Sequence, residues 1–409
     1  MRILYLCHRI PYPPDKGDKI RAFHQLQALA ARHEIDLFTL ADDPADLTQQ
    51  APLRNVCASV TARSLHPRLS RLRSLPYLLT QAPLTIPYFR SAELRREVRR
   101  ALTRRSYDRI FVYCSAMAQY VENAGGIPTV TDLVDVDSDK WAQYAAFTRF
   151  PFSAVYRREG EALRRYERGV CGRSACVVVT SEREARLARE ISPGTRVHAI
   201  PNGVDTDYFR PPDFRPDEPV VGFTGDMSYF PNQEAVTHFA RRVFPLIRGS
   251  LPAARFVIVG RNPSTGVRKL GDLEGVEVTG FVPDVRPHLA RMRVSVAPLS
   301  IATGIQNKIL EAMAYEVPVV ATSRTAQGLE PETAAAVEIA DDPESMAAKV
   351  LELLRDPQLA REKGREGRRR VAAEYNWQRS LDRLVRLVES PASPPATPGR
   401  EVKLLPLDT

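Results

Sequence analysis

Residues 303–314 read TGIQNKILEAMA, a glycine-containing turn running straight into a helix, with Glu311 two turns in. Backbone amides at a helix N-terminus lack an internal partner and carry partial positive charge, so the amides of Gly304, Ile305, Gln306 and Asn307 suit phosphate oxygens. Lys308 adds a full charge beside them. The Glu311 carboxylate, with two acceptor oxygens, suits a pair of ribose hydroxyls. Taken alone, the same residues also describe an ordinary amphipathic helix with a glycine cap.

The flanks favour the phosphate reading. Upstream lie VTGFVPD (278–284) and the apolar run VSVAPL (294–299); downstream lie VPVVAT (317–322) and Gly328-Leu329. In order these read strand, turn, strand, phosphate-binding helix, strand. The series resembles the C-terminal half of family 4 glycosyltransferases, enzymes of the GT-B fold that carry a Glu-x7-Glu motif here. Thr303 stands in place of the first Glu, so a carboxylate contact to the donor sugar is lost while the Glu311 contact to ribose is kept.

The first 200 residues alternate strand-like and helix-like patterns. Strands are expected at 3–7, 35–39, 110–113, 129–133 and 176–180, and helices at 20–32, 153–169 and 181–190. Such alternation implies a parallel sheet with helices on both faces. A second series starts at 220–225, continues at 256–260 and reaches the motif above. The expected fold is therefore α/β: two Rossmann-like, doubly wound parallel-sheet domains facing a cleft at the carboxyl ends of their strands, where open α/β sheets bind ligands. Residues 1–205 form the expected acceptor domain and 206–375 the nucleotide-sugar donor domain, with the proline-rich stretch 209–216 as linker. The GT-B resemblance implies that 376–390 form a helix returning to the first domain. The Pro-, Ala- and Ser-rich residues 391–409 read as a disordered tail.

Composition narrows the class. The chain has 409 residues, of which 44% are hydrophobic and 26% charged, typical of a globular protein with room for two cores. No apolar run is long enough to span a bilayer, and five cysteines without Cys-x-x-Cys spacing argue against a disulfide framework or a zinc site. A reducing cytoplasmic location is expected. The net charge of +9 is unevenly placed: residues 1–200 carry +10 and the remainder −1. Residues 63–109 hold 12 arginines against Glu93, Glu97 and Asp108. Within them, 92–105 has helical spacing with Leu94, Val98 and Leu102 on one stripe. That pattern suits peripheral contact with an anionic inner-membrane surface, although a solvated helix face is the plain alternative. No nucleic-acid-binding module is evident.

The loop after the first strand, PYPPDKGDKIR (11–21), lies where GT-B enzymes of this group meet the transferred sugar and the acceptor. Gly17, Asp18, Lys19 and Arg21 are its acceptor-binding candidates. Combined with DLVDVDSDKW (132–141) and FTGDMSYFPN (223–232), the loop resembles a narrower group, the sugar transferases of PEP-CTERM/exosortase systems in bacterial exopolysaccharide clusters.

The resemblance, which runs from residue 1 to about 388, implies transfer of a sugar from a nucleotide-diphosphate donor with retention of configuration. No metal and no further cofactor are implied. The leaving diphosphate would be stabilised by the helix start, Lys308 and Arg261, with Gly225 and Thr303 alongside and the base near Phe281 and Val282. The family's His after the fourth strand is missing, which leaves Asp135, Asp137 and Ser115 as candidates near the acceptor hydroxyl. Asp135, Asp137 and Asp139 alternate, so in an extended segment they would share one side. Two other functions fit less well: a nucleotide-sugar epimerase of the same fold, and a non-catalytic nucleotide-sugar-binding protein.

Overall fold

The computed structural model describes residues 1–212 and 218–391 and divides them into two units. The first comprises Met1–Val179, Ala185–His198 and the chain from Val385; the second comprises Thr180–Glu184 and Ala199–Leu384. Part of the expected linker (213–217) and nearly all of the expected tail (392–409) lie outside the described residues. The break at His198/Ala199 precedes the expected boundary at 205. Residues after it are tied to the second unit: the Val204 amide donates to the Tyr375 carbonyl at 2.8 Å, and a Cβ on Gly203 would come within 2.4 Å of the Trp377 ring.

Seven strands build the first unit: β1 (Arg2–Cys7), β2 (Glu34–Ala41), β3 (Ser59–Ser64), β4 (Arg109–Tyr113), β5 (Thr129–Val134), β6 (Cys176–Val179) and β7 (Val197–Ala199). They lie in the order β3-β2-β1-β4-β5-β6-β7, with parallel pairing from β3 through β6. Ile3, Leu4, Tyr5 and Leu6 are fully buried, as expected for a central strand covered on both faces. The order turns back between β1 and β4, where Cys7 pairs with Tyr113. β3 was not expected from the sequence. Its residues SVTARS form a half-exposed edge strand with little apolar content.

Near the carboxyl end of β5 lies a buried ion pair. Asp132, at the end of β5, accepts from Arg21 Nε at 2.9 Å, from Gln25 Nε2 at 2.6 Å and from the Val134 amide at 2.8 Å. Arg21 and Asp132 are both buried. The chain end is held in the same unit: Arg109 donates to the carbonyls of Val388 and Ser390 at 3.1 and 3.0 Å. The helix Trp377–Glu389 thus begins among residues of the second unit and finishes in the first.

Six parallel strands build the second unit: β8 (Val220–Thr224), β9 (Arg255–Val259), β10 (Val276–Gly280), β11 (Val294–Ala297), β12 (Val319–Ala321) and β13 (Glu338–Ile339). Their order is β10-β9-β8-β11-β12-β13, so the winding reverses between β8 and β11. A core lies on each face. One is built around Phe239, Phe244 and Phe256, the other around Ile309, Met313 and Tyr375.

The Arg21–Asp132 pair sets a stability test. Arg21→Met leaves a buried carboxylate without its cation and is expected to cost about 3–5 kcal/mol in urea unfolding. Arg21→Met combined with Asp132→Leu is expected to recover at least half of that loss. Equal losses in the single and double variants would contradict the pairing.

Candidate active site

Each sheet has a switch point in its strand order, and open α/β sheets bind ligands there, outside the carboxyl ends of the strands. In the second unit the switch point lies between β8 and β11. The β8–β9 register pairs Thr224 with Val259, which sets Gly225 beside Gly260. The two backbones touch closely: the Gly225 amide donates to the Val259 carbonyl at 3.0 Å, and a Cβ on Gly260 would come within 1.7 Å of the Gly225 carbonyl oxygen. Only glycine fits there.

Beyond that contact runs a polar network. Arg261 Nε donates to Asp226 at 3.0 Å, the Asp226 carbonyl accepts from Asn232 Nδ2 at 2.9 Å, and Asn232 Oδ1 accepts from Lys308 Nζ at 2.6 Å. Lys308 also lies over the Phe223 ring, 4.5 Å from its centre. Although burial works the other way, hydrogen bonds from Ser228 and Arg261 hold the Asp226 carboxyl below the usual carboxylate range. Asp226 therefore offsets the charge of Arg261. Lys308, by contrast, is hydrogen-bonded to a neutral amide.

Lys308 stands in the first turn of the helix Asn307–Ala314, and Glu311 follows one turn later. Burial pushes the Lys308 ammonium down to about 7, with Glu311 pulling the other way. Burial likewise pushes the Glu311 carboxyl up to about 7, opposed by Lys308. The helix begins at Asn307 rather than at Gly304, so the amides of its first turn, Asn307 and Lys308, are the ones without partners inside the helix. Gly304 turns the chain with a φ of 53°, and its carbonyl sits where a Cβ on Gly328 would approach to 1.9 Å. Thr303 is buried, and its carbonyl accepts from Gln306 Nε2 at 3.0 Å. Ile305 and Val282 pack against one apolar cluster, while Phe281 next to Val282 is exposed.

The structure thus joins Gly225, Arg261 and Lys308 in one network, with Glu311 a turn further along the helix. Asn232 and Asp226 belong to that network and were not among the sequence candidates. The sequence carries no local signal for Asn232, because the Lys308 that it meets lies 76 residues away.

At the switch point of the first unit, several expectations need correction. Lys19 and Arg21 are buried in ion pairs, Lys19 Nζ with Asp46 at 2.6 Å and Arg21 with Asp132, so neither presents a charge outward. Asp18 receives Arg9 at 2.6 Å and His8 at 3.3 Å. Despite burial, these two partners hold its carboxyl far below the usual range. Gly17 is exposed at the start of the helix Gly17–Ala30. Asp135, Asp137 and Asp139 do not alternate along a strand, because β5 ends at Val134 and the helix Asp137–Phe147 follows. Asp137 pairs with Lys140 and Asp139 accepts from Gln143, while Asp135 is half-buried in the intervening bend.

Two residues at this end, His8 and Ser115, carry buried atoms without a hydrogen bond: His8 Nδ1 and Ser115 Oγ. His8 follows β1 directly and stacks on Tyr113 with ring centres 5.8 Å apart. A histidine at the end of the first strand, rather than the fourth, was the signal that the sequence reading passed over.

The fold is that of a GT-B protein, two Rossmann-like units each built on a parallel sheet. Residues 19–203 match the family model described as "Glycosyl transferase 4-like domain", and residues 218–356 the one described as "Glycosyl transferases group 1". The chain belongs to the family 4 glycosyltransferases. A putative glycosyltransferase of Bacillus subtilis, EpsD, is 27% identical over 233 residues, 51% of this chain. That match spans about three fifths of the length of EpsD, 59%. Among solved structures, Anabaena HepE in complex with UDP and glucose has a TM-score of 0.67 at 16% identity, over 96% of this chain and 100% of that one. A glycosyltransferase from Rickettsia africae has a TM-score of 0.63 at 11% identity, over 95% and 98% of the two chains. At these identities the structural likeness speaks for the fold.

The glycine contact gives a direct check on the site. Gly260→Ala is expected to push the ends of β8 and β9 apart and to cost about 1–3 kcal/mol, read as a lower Tm. An unchanged Tm would contradict the close approach.

Proposed function

We propose that this chain transfers a sugar from a nucleoside-diphosphate sugar to a lipid-linked or polysaccharide acceptor. The transfer proceeds with retention and without a metal, in exopolysaccharide synthesis at the cytoplasmic side of an anionic inner membrane. One observation carries the reading: a half-buried lysine and a glutamate one turn apart at a helix start, beside the switch point of a parallel sheet. Lys308 and the first-turn amides hold the diphosphate. As the glycosidic bond breaks, negative charge grows on the leaving group, and these preorganised donors favour the transition state over the ground state. Glu311 takes the ribose hydroxyls, and Phe281 and Val282 flank the base.

HepE is crystallised with UDP and with UDP-glucose, which makes UDP-glucose the first donor to test. The resemblance to the PEP-CTERM/exosortase-associated transferases supports the polysaccharide context. On the acceptor side, Asp135 with Gly17 and Asp18 remains the proposed contact, and Asp137 acts through its pairing with Lys140. The thinned site, with Thr303 for the first motif Glu and no His after β4, keeps a nucleotide-sugar-binding protein as the second reading.

The test is transfer from UDP-, GDP- and dTDP-sugars, with and without a lipid-linked acceptor extract. Acceptor-dependent transfer is expected, unchanged by EDTA, with the donor's anomeric configuration kept in the product. Glu311→Ala is expected to lower it about a hundredfold, since two hydrogen bonds to a charged group are lost. Nucleotide binding without turnover would favour the second reading, and loss of activity in EDTA would contradict metal independence.

A further inference from the structure

The sequence suggested membrane contact through residues 63–109, with the helical stretch 92–105 within them, seen here as the helix Ala92–Arg104. The structure turns that helix inward, with Leu94 and Val98 fully buried. The opposite holds for the helix Pro67–Ser74, which is inside out. It buries Ser70 and Ser74 and exposes Leu69 and Leu72. The exposed row continues through Leu75 to Leu79, which is 94% exposed. A second apolar group stands at the turn between the helices Asp137–Phe147 and Phe152–Arg173, where Phe147, Phe150 and Phe152 are exposed, Phe150 to 83%.

Hydrogen bonds tie the two groups together. Arg158 Nη2 donates to the carbonyls of Tyr77 and Ala82 at 2.6 and 2.7 Å, and also to that of Thr80. Glu159 accepts from the amides of Leu84 and Thr85 at 2.7 and 2.9 Å. Arg158 lies six residues after Phe152, about 9 Å along the same helix. The Leu79 loop therefore runs beside the base of the phenylalanine turn.

The charge here has one sign. Arg68, Arg71, Arg73, Arg149 and Arg157 are exposed, and neither 65–92 nor 141–158 contains an acidic residue. A symmetric pairing of two copies through this surface would set arginine against arginine. An anionic bilayer instead accepts apolar side chains below its headgroups and cations among them.

We propose that Leu72, Leu75 and Leu79, with Phe147, Phe150 and Phe152, insert into an anionic phospholipid surface while the surrounding arginines bind its headgroups. The inference rests on the reading of a membrane-borne acceptor, but it relocates the contact from the helix Ala92–Arg104 to two segments, one of which lies outside 63–109. It makes the phenylalanine turn a membrane anchor.

Sedimentation of the full chain with vesicles tests it. The vesicles are phosphatidylcholine alone or with about a third phosphatidylglycerol, at about 0.1 and 0.5 M salt. The wild type is expected to bind the anionic vesicles, and less at high salt. Leu79→Glu with Phe150→Glu, and separately Arg71→Glu with Arg149→Glu, are each expected to weaken binding at least about tenfold. All four positions are exposed, so an unchanged Tm and unchanged nucleotide binding show that the fold and the donor site are intact.

Failure of the wild type to bind, or equal binding by either variant, would overturn the proposal. So would a dimer, seen by light scattering, that Leu79→Glu with Phe150→Glu dissociates. Transfer to a soluble acceptor is read separately. A lack of turnover with vesicle binding intact would count against the proposed function and not against this anchor.

Discussion

Lys308 is held over the Phe223 ring by a hydrogen bond to an amide rather than to a carboxylate, and the second unit is organised around keeping it there. Phe223 is fully buried in β8. Asn232 is fixed by the Asp226 carbonyl, and Asp226 by Arg261 at the end of β9. The glycine contact between Gly225 and Gly260 lets the two strand ends come close enough to close that chain of bonds. A cation held this way is costly to keep charged, which is why burial draws its pKa toward neutrality. An arriving diphosphate would reverse the balance.

The two units treat charge differently. In the first, several buried or half-buried carboxylates are matched by cations: Asp132 by Arg21, Asp46 by Lys19, Asp18 and Asp42 by Arg9, and Asp36 by Arg105. Other arginines stay outward, and Arg68, Arg71, Arg73, Arg149 and Arg157 do so where leucines and phenylalanines also face out. In the second, the central network leaves one ammonium opposite a neutral partner. Net charge alone predicts neither arrangement, since both depend on which side chains the topology brings together.

The fold was largely legible because buried parallel strands tend to be apolar runs, and ten strands between Ile3 and Ala321 were readable without tertiary information. β3 was not legible: an edge strand needs little apolar content, and SVTARS has little. The placement of Lys308 and Glu311 one turn apart at a helix start was readable because their spacing from a glycine turn is local. Asn232 was not, because its role depends on a neighbour 76 residues away. The same limit explains Arg21 and Lys19, whose partners Asp132 and Asp46 lie 111 and 27 residues away. Asp135 and Asp137 were misaligned for a different reason. Val134 adopts a φ of 67°, and nothing in the sequence marks that bend before the helix that follows.

The most direct measurement is calorimetric titration with a nucleoside diphosphate at about pH 8, in two buffers of different ionisation enthalpy. Lys308 and Glu311 both titrate near 7 in the free protein, so at that pH the lysine is mostly neutral and the glutamate mostly ionised. Binding that charges Lys308 then takes up close to one proton, and affinity falls as the pH rises further above 7. The account predicts that uptake in the wild type and its loss in Lys308→Met. Binding of equal strength in both proteins, with no proton taken up in either, would contradict it.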